Sequence, residues 1–163
     1  MAKLLSLAAA FALILSPVSA RAGGLLEGSI GTGLRWDPSP TERIPTNVML
    51  TVGYSLPVLK LELGALANLG DVEDQDFDID LRPMLVFKPP VFPLYLRAIL
   101  SYGNLIEGPK TFGYGGAVGM RFGPPVGGIG AFLEAGAITK KIEIAGDEES
   151  IWFAEARLGV YWD

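Results

Sequence analysis

Apolar residues recur at every second position in eight separate stretches of the chain. In the stretch 59–69, for example, leucine and alanine alternate with Lys60, Glu62 and Gly64. Because successive side chains of a β-strand leave opposite faces, this period of two indicates strands with one apolar and one polar face. The eight predicted strands cover residues 26–36, 47–56, 59–69, 77–87, 94–102, 112–122, 129–138 and 152–162. At about ten residues each, they have the length that a tilted strand needs to cross a bilayer.

The connections between these stretches alternate in length and composition. Those after the second, fourth and sixth strands are short and contain proline, at 57–58, 88–93 and 123–128. Those after the first, third, fifth and seventh are longer and more polar, covering about 37–45, 70–76, 103–111 and 140–150. Short turns at one end and longer loops at the other are typical of an up-and-down meander. The pattern therefore predicts an all-β fold, an eight-stranded antiparallel transmembrane barrel.

The distribution of charge between the two faces indicates which face points outward. A soluble lipocalin-like barrel keeps its apolar face inside and its charges outside. Here the apolar parity carries almost no charge and ends in aromatic residues, as in membrane barrels whose rings lie at headgroup level. The predicted aromatic girdle consists of Trp36, Phe77, Tyr102, Phe112 and Trp152 beside the longer loops, and of Phe87, Phe122 and Trp162 near the short turns. We therefore expect the apolar face to contact lipid.

The charged residues of the strands fall on the polar parity and nearly balance in sign. Because unpaired charges in a low-dielectric lumen are costly, this balance predicts a hydrogen-bonded ion-pair network. The predicted network comprises Arg35, Glu62, Asp80, Arg82, Arg97, Glu134, Glu155 and Arg157. Hairpin spacing predicts that Arg82 lies near Glu62 and Arg97, that Glu134 lies near Arg157, and that barrel closure brings Arg35 near Glu155. Since an eight-stranded barrel is just wide enough for side chains to fill, we expect a plugged lumen.

The first 22 residues are predicted to be a cleaved secretory signal, which leaves residues 23–163 as the barrel domain. Lys3 precedes an apolar stretch at 4–15, and Ala20 and Ala22 offer two sites for signal peptidase. The full chain of 163 residues has a net charge of −5 and contains neither Cys nor His. The negative charge argues against a nucleic-acid partner. Without Cys there is no disulfide framework and no thiolate metal site.

Over nearly its whole mature length, the chain resembles the small eight-stranded outer-membrane barrels of the OmpA/OmpX type. The resemblance rests on the signal peptide, the eight strands, the alternation of turns and loops, and the final stretch with Leu158, Val160 and Trp162. It implies an outer membrane of the Gram-negative kind, periplasmic termini and extracellular longer loops. It also implies contact with lipid and lipopolysaccharide, and recognition of the C-terminal stretch by the barrel-assembly machinery.

Candidate chemistry in the sequence is sparse. The acidic stretch 71–76 could bind Ca²⁺ or Mg²⁺, but it lacks EF-hand spacing, so a solvated loop is the preferred interpretation. Since outer-membrane enzymes of barrel form generally use His, we expect no enzymatic activity, no catalytic residues, and neither a metal nor another cofactor. The favoured function is a monomeric structural or surface-interaction barrel for envelope integrity or adhesion. The alternative is a carrier of small hydrophobic ligands, either lipocalin-like or opening laterally to the membrane.

Overall fold

The computed structural model describes residues 23–36, 42–56, 58–71, 77–89, 92–106, 110–123, 128–144 and 147–162, without the side chains of 142–149. The predicted signal peptide and most of the acidic stretch, residues 72–76, lie outside the described residues. No helix within the described ranges has the length and apolarity needed to cross a membrane.

Eight antiparallel strands form a closed barrel in which each strand pairs with its neighbour in sequence and the last pairs with the first. The strands are β1 (Gly24–Trp36), β2 (Glu42–Ser55), β3 (Leu59–Asn68), β4 (Ile79–Phe87), β5 (Leu94–Gly103), β6 (Thr111–Phe122), β7 (Ile129–Ile144) and β8 (Asp147–Trp162). The predicted number, order and direction of the strands are therefore confirmed. Closure leaves the barrel wall without a free sheet edge, which is how up-and-down barrels avoid edge-to-edge association.

Two of the predicted longer loops are wrong in extent. The strand β2 begins at Glu42, and the ladder between β7 and β8 continues to the pair Ile144–Asp147, so both hairpins extend further than predicted. In the second hairpin residues 141–144 keep a period of two but in inverted phase, because Lys141 and Glu143 stand on the parity that is apolar in 129–137. In the first hairpin, a bulge shifts the register between Gly31 and Gly33, and Pro45 lies in the bulged part of β2. Proline is tolerated there because a bulge interrupts the ladder of hydrogen bonds.

Apolar side chains cover the outside of the barrel and charged side chains lie within it. Leu63 and Leu158 on the outward parity are 44% and 58% exposed, whereas Arg97 and Glu134 on the inward parity are 2% and 4% exposed. A shift of one residue in register would exchange the faces of a whole strand, so this arrangement fixes the register.

Apolar and charged layers alternate along the lumen. The turn-side apolar layer, nearest the short turns, contains Leu25, Val86, Tyr95, Phe132 and Tyr161. The middle apolar layer contains Met49, Leu66, Met84, Ile99 and Ile138, with Ala117 packed against it. Three strands, β4, β5 and β7, contribute a side chain to both layers. Their inward charged side chains lie either between the two layers or beyond the middle layer, toward the longer loops. The described part of the lumen therefore holds two groups of charges, with Lys60, 1% exposed, on the inward parity of β3 two residues from Glu62.

Candidate functional site

The group of charges between the two apolar layers, the turn-side cluster, consists of Glu27, Glu62, Arg97, Arg121 and Glu134. Arg97 lies at its centre: Nη2 is 2.7 Å from a Glu27 carboxylate oxygen and 2.9 Å from Glu62, and Nη1 is 2.7 Å from Glu134. Arg121 pairs with Glu27 and lies 3.6 Å from Glu62. Because these side chains come from β1, β3, β5, β6 and β7, the cluster ties opposite walls of the barrel together.

Aromatic rings close the turn-side cluster on the side of the short turns. The Arg97 guanidinium lies 5.3 Å from the centroid of the Tyr95 ring, and Arg121 lies 4.5 Å from that of Tyr161. The Tyr95 hydroxyl donates a hydrogen bond of 2.8 Å to Glu134. Cation–π contacts of desolvated guanidinium groups contribute roughly 2 kcal/mol each. The rings therefore stabilise the same two cations that the carboxylates neutralise.

The second group, the loop-side cluster, consists of Asp80, Arg82, Lys140, Glu155 and Arg157. Arg82 donates two hydrogen bonds, of 2.7 and 2.8 Å, to the two Glu155 oxygens, and Arg157 donates a third of 2.7 Å. Lys140 donates to Asp80 over 2.6 Å. This cluster is less enclosed than the first, since the side chains of Lys140 and Glu155 are 15% and 10% exposed. It forms the polar lining of the lumen toward the longer loops.

The structure places seven of the eight network residues in these two clusters, but it joins them differently from the predicted pairs. Glu62 pairs with Arg97 and Arg121, not with Arg82, and the carboxylates that Arg82 contacts are Asp80 and Glu155. The predicted Glu62–Arg82 and Arg82–Arg97 proximities are therefore wrong. The cause is that long side chains reach across the lumen, whereas hairpin spacing describes adjacent strands.

Two further pairing predictions need correction. Glu134 and Arg157 lie opposite each other in the β7–β8 ladder, as predicted, yet the guanidinium of Arg157 pairs with Glu155. Arg35 lies opposite Phe153, two residues from Glu155 along β8, and its guanidinium is 3.8 Å from Glu42. With a side chain that is 34% exposed, Arg35 belongs to the rim of the barrel and not to the buried clusters.

Three members of the clusters were not among the predicted network residues. Glu27 and Arg121 stand on the inward parity of their strands, so the alternation contained the signal for both. Lys140 was assigned to a loop because the charged segment after it resembles one. Its place on the inward parity follows only when the period of two of β7 is counted past Ile138, through three consecutive polar residues.

The predicted girdle residues all lie on the outside of the barrel. Their exposed fractions are Trp36 69%, Phe77 41%, Phe87 44%, Tyr102 51%, Phe112 45%, Phe122 53%, Trp152 51% and Trp162 44%. Phe77 precedes β4 instead of lying within it. Tyr102 and Phe112 meet edge to face, with ring centroids 6.0 Å apart. Tyr54, Tyr114 and Phe92 are exposed aromatic residues that the prediction omitted.

At the loop end, Asp71 and Asp78 order the chain through backbone contacts. Asp71 accepts hydrogen bonds from the Thr46 amide at 2.6 Å, the Thr46 hydroxyl at 2.7 Å and Arg43 at 2.9 Å. These bonds, those from Thr46 foremost, hold the pKa of Asp71 below its usual range. Asp78 accepts a hydrogen bond of 2.6 Å from the amide of Asn104. Within the described ranges, no group of three or more acidic side chains is placed to hold a metal ion.

No family model and no curated protein matches the sequence. Among solved structures, the chain is similar to Neisserial surface protein A (NspA), with a TM-score of 0.63 and 14% identity, covering 86% of this chain and 96% of that one. The N-terminal β-barrel domain of Pseudomonas aeruginosa OprF gives a TM-score of 0.47 and 15% identity, covering 83% of this chain and 96% of that one. Together with the closed eight-strand barrel, the first likeness shows that the chain has the fold of the small eight-stranded outer-membrane barrels. At this identity, the likeness concerns the fold alone.

Proposed function

We propose that the chain is an integral outer-membrane barrel with a filled lumen, which displays its loop end at the cell surface in a structural or adhesive role. The observation that carries this proposal is the reversed distribution of polarity: leucines such as Leu61, at 58% exposed, cover the outside, and buried ion pairs fill the inside. In water such an outer surface would be a very large exposed apolar patch. In a bilayer it is the expected lipid-facing surface of a barrel.

The lumen is suited to rigidity and not to conduction. Val86, Phe132, Leu66 and Ile138, which come from the two apolar layers, are each at most 1% exposed. The turn-side cluster lies between these layers, where its arginines pair with carboxylates and lie against aromatic rings. An ion entering the lumen would have to displace paired charges and cross both apolar layers. We therefore propose a closed barrel that does not function as a pore.

The same distribution disfavours a soluble, lipocalin-like carrier. A lumen that accepts an apolar ligand needs apolar walls around a cavity. This lumen is instead filled by four arginine side chains, each at most 5% exposed: Arg82, Arg97, Arg121 and Arg157. We also propose, from the fold, that the protein is a monomer with periplasmic termini, lipid and lipopolysaccharide as its surroundings, and insertion by the barrel-assembly machinery. We assign it neither a catalytic function nor a cofactor.

The proposal is tested by cell fractionation combined with electrophoresis of unheated and heated samples. The protein is expected in the outer-membrane fraction and, after detergent extraction, as a folded band whose migration changes on heating. Planar-bilayer recordings of the purified protein are expected to show no stable conductance. Recovery as a soluble monomer without detergent would contradict membrane insertion, and a reproducible open channel would contradict the filled lumen.

A further inference from the structure

The seam between β4 and β5 is one of the irregular places in the barrel wall. These strands pair at Leu81–Tyr102 and again from Met84–Ile99 onward, but their pairing is interrupted at Arg82 and Pro83. The ladder from β4 to β3 is continuous over the same residues, including Pro83 with Leu63. Proline has no amide hydrogen to donate, so in a closed barrel it necessarily removes one hydrogen bond of the wall.

A groove of about 480 Å³ lies on the outer surface at this seam. Its lining includes Pro83, Leu85, Ala98, Leu100 and Tyr114, and its floor is low at Ala98, whose side chain is a single methyl group. A second depression of about 470 Å³ continues from it across Gly116 and Ala135, and the two share Ala98 and Gly115. We call the joined depressions the seam groove. Leu85, Leu100 and Val118 project along it and are 45%, 47% and 50% exposed.

The position of the seam groove places it at the depth of hydrocarbon. Ala98 pairs with Gly116 of β6, and Gly116 lies between the girdle residues Phe112 and Phe122 of the same strand. Aromatic girdles mark the headgroup levels of a membrane barrel, so a residue midway between them faces acyl chains. Tyr114 contributes a hydroxyl to the lining, and Arg97 lines the second depression, but the Arg97 guanidinium lies in the lumen, paired with Glu27 and 2% exposed. The outer face of the groove therefore presents no accessible charge to a ligand.

The shape of the seam groove favours a flexible chain over a second barrel. Two barrels are convex cylinders that meet along a line, and neither can fill a depression between projecting leucines of the other. A hydrocarbon chain can follow the two joined depressions and fill the space beside Pro83. Filling it gains van der Waals contacts that the atoms lining an empty space would lack. Behind the seam, Met84 and Ile99 belong to the middle apolar layer, so the wall there is apolar on both sides.

We propose that the seam groove is a lipid-binding site that seats one acyl chain across β4, β5 and β6. This inference rests on the proposed membrane location and adds to it a specific site and a ligand class. It also gives a specific form to the alternative function, a carrier of hydrophobic ligands that opens laterally to the membrane. In that form, apolar ligands would reach the barrel from the bilayer and not through the loops. The lipid is selected by its hydrocarbon chain, because the one charged residue of the described lining, Arg97, has its guanidinium buried in the lumen, away from a headgroup.

Photocrosslinking in vesicles tests the proposal with the full mature chain. The protein is inserted into phosphatidylcholine vesicles that contain a small fraction of phosphatidylcholine with a diazirine on one acyl chain, and labelled residues are located by mass spectrometry. We expect several-fold more labelling at Leu85, Ala98 and Leu100 than at the lipid-facing Leu61 and Leu63 of β3. Equal labelling of lipid-facing residues around the whole barrel would overturn the site.

The filling variant Ala98→Trp is expected to abolish the excess labelling at Leu85 and Leu100. The matched control is Ala65→Trp, which places the same ring on the lipid-facing side of β3, between Leu50 and Leu81, outside the groove. If Ala98→Trp does not fold, Ala98→Leu is used in the same assay. Excess labelling that survives the filling variant, or that consists of crosslinks to a second copy of the chain, contradicts the proposal. Failure of the wild type to insert into vesicles would instead contradict the proposed function.

A second variant tests the part that Pro83 plays. Pro83→Val restores an amide hydrogen opposite Leu100 and keeps an apolar side chain toward lipid. Hydrogen exchange is expected to become slower for the amides of β4 and β5 around the seam, and excess labelling at Leu100 is expected to fall. Unchanged exchange and unchanged labelling would show that the interrupted pairing has no part in lipid binding.

Discussion

The two charged clusters of the lumen use the same residue types but differ in their surroundings. The turn-side cluster is enclosed by apolar layers and aromatic rings, and its central Arg97 contacts carboxylates from β1, β3 and β7. The loop-side cluster has partly accessible members, and its central Glu155 is shared by Arg82 and Arg157. The turn-side cluster occupies the enclosed interior of the barrel, so each of its ion pairs needs both partners. In the loop-side cluster, water can solvate a charge whose partner has been removed.

This contrast has a physical basis in desolvation. A buried ion pair gains little over well-packed apolar side chains, but removing one partner leaves a charge that the interior cannot solvate. The penalty therefore rises with enclosure and with the number of charges left behind. In the turn-side cluster Arg97 contacts three carboxylates, so the four variants below should rank by how far each residue is enclosed, from the turn-side cluster to the exposed loop end.

The largest effect is expected for Arg97→Leu. It leaves the carboxylates of Glu27, Glu62 and Glu134 with less positive charge in an enclosed layer, and breaking such a buried pair costs about 3–5 kcal/mol. The measurement is urea unfolding of the protein folded into vesicles. Its control, Leu96→Ala, changes the adjacent lipid-facing residue, which is 57% exposed, and is expected to fold like the wild type. A stability close to the wild type for Arg97→Leu would contradict the central role of this arginine.

A smaller loss is expected for Glu155→Gln in the loop-side cluster. The change removes the charge that Arg82 and Arg157 share but keeps a side chain of similar size that still accepts hydrogen bonds. Since hydrogen bonds to charged groups contribute about 1.5–3 kcal/mol, the free energy of unfolding should fall by an amount in this range. The same unfolding assay measures it. A loss larger than that of Arg97→Leu would reverse the proposed order of the two clusters.

The alternation of the sequence predicted the side of the barrel on which residues such as Leu63 and Arg97 lie, because a period of two determines which face each side chain leaves. It did not predict their partners. Arg97 on β5 reaches Glu27 on β1 and Glu62 on β3, and such contacts depend on the diameter of the barrel and the direction of each side chain. The spacing of the hairpins along the sequence determines neither the barrel diameter nor the side-chain directions.

The limits of the strands were harder to predict at the loop end than at the turns. Proline near the short turns, as at Pro57, marks where a ladder ends, because it cannot donate to one. At the loop end, the charge density of residues 140–150 predicts a loop. That prediction is wrong for Lys140, since the extended β7–β8 hairpin is a ladder in which charged residues stand on both parities.

The loss of Lys140 should have less effect than that of Glu155. Lys140 donates to Asp80 over 2.6 Å, but its side chain is partly exposed, and Asp80 also accepts from Ser101 and lies 3.6 Å from Arg82. Lys140→Met is therefore expected to lower the free energy of unfolding by about 1 kcal/mol or less, the range of accessible ion pairs. Unfolding midpoints at low and high salt provide the measurement, and the difference between variant and wild type should shrink as salt screens the pair. A salt-independent loss as large as that of Arg97→Leu would show that Lys140 is enclosed.

The smallest effect is expected outside the lumen, at Asp71. Its pKa is held below the usual range by hydrogen bonds from Thr46, so the folded state favours the carboxylate. A lowered folded pKa stabilises the loop end above the ordinary pKa of aspartate, and this contribution is lost as the pH falls through the lowered value. Hydrogen exchange of the Thr46 amide should therefore stay protected until the pH is below the usual aspartate range. Asp71→Asn should reduce the protection at neutral pH and remove its pH dependence, while the unfolding of the barrel stays unchanged. If protection were lost at the pH of an ordinary aspartate, the bonds from Thr46 would not favour the carboxylate.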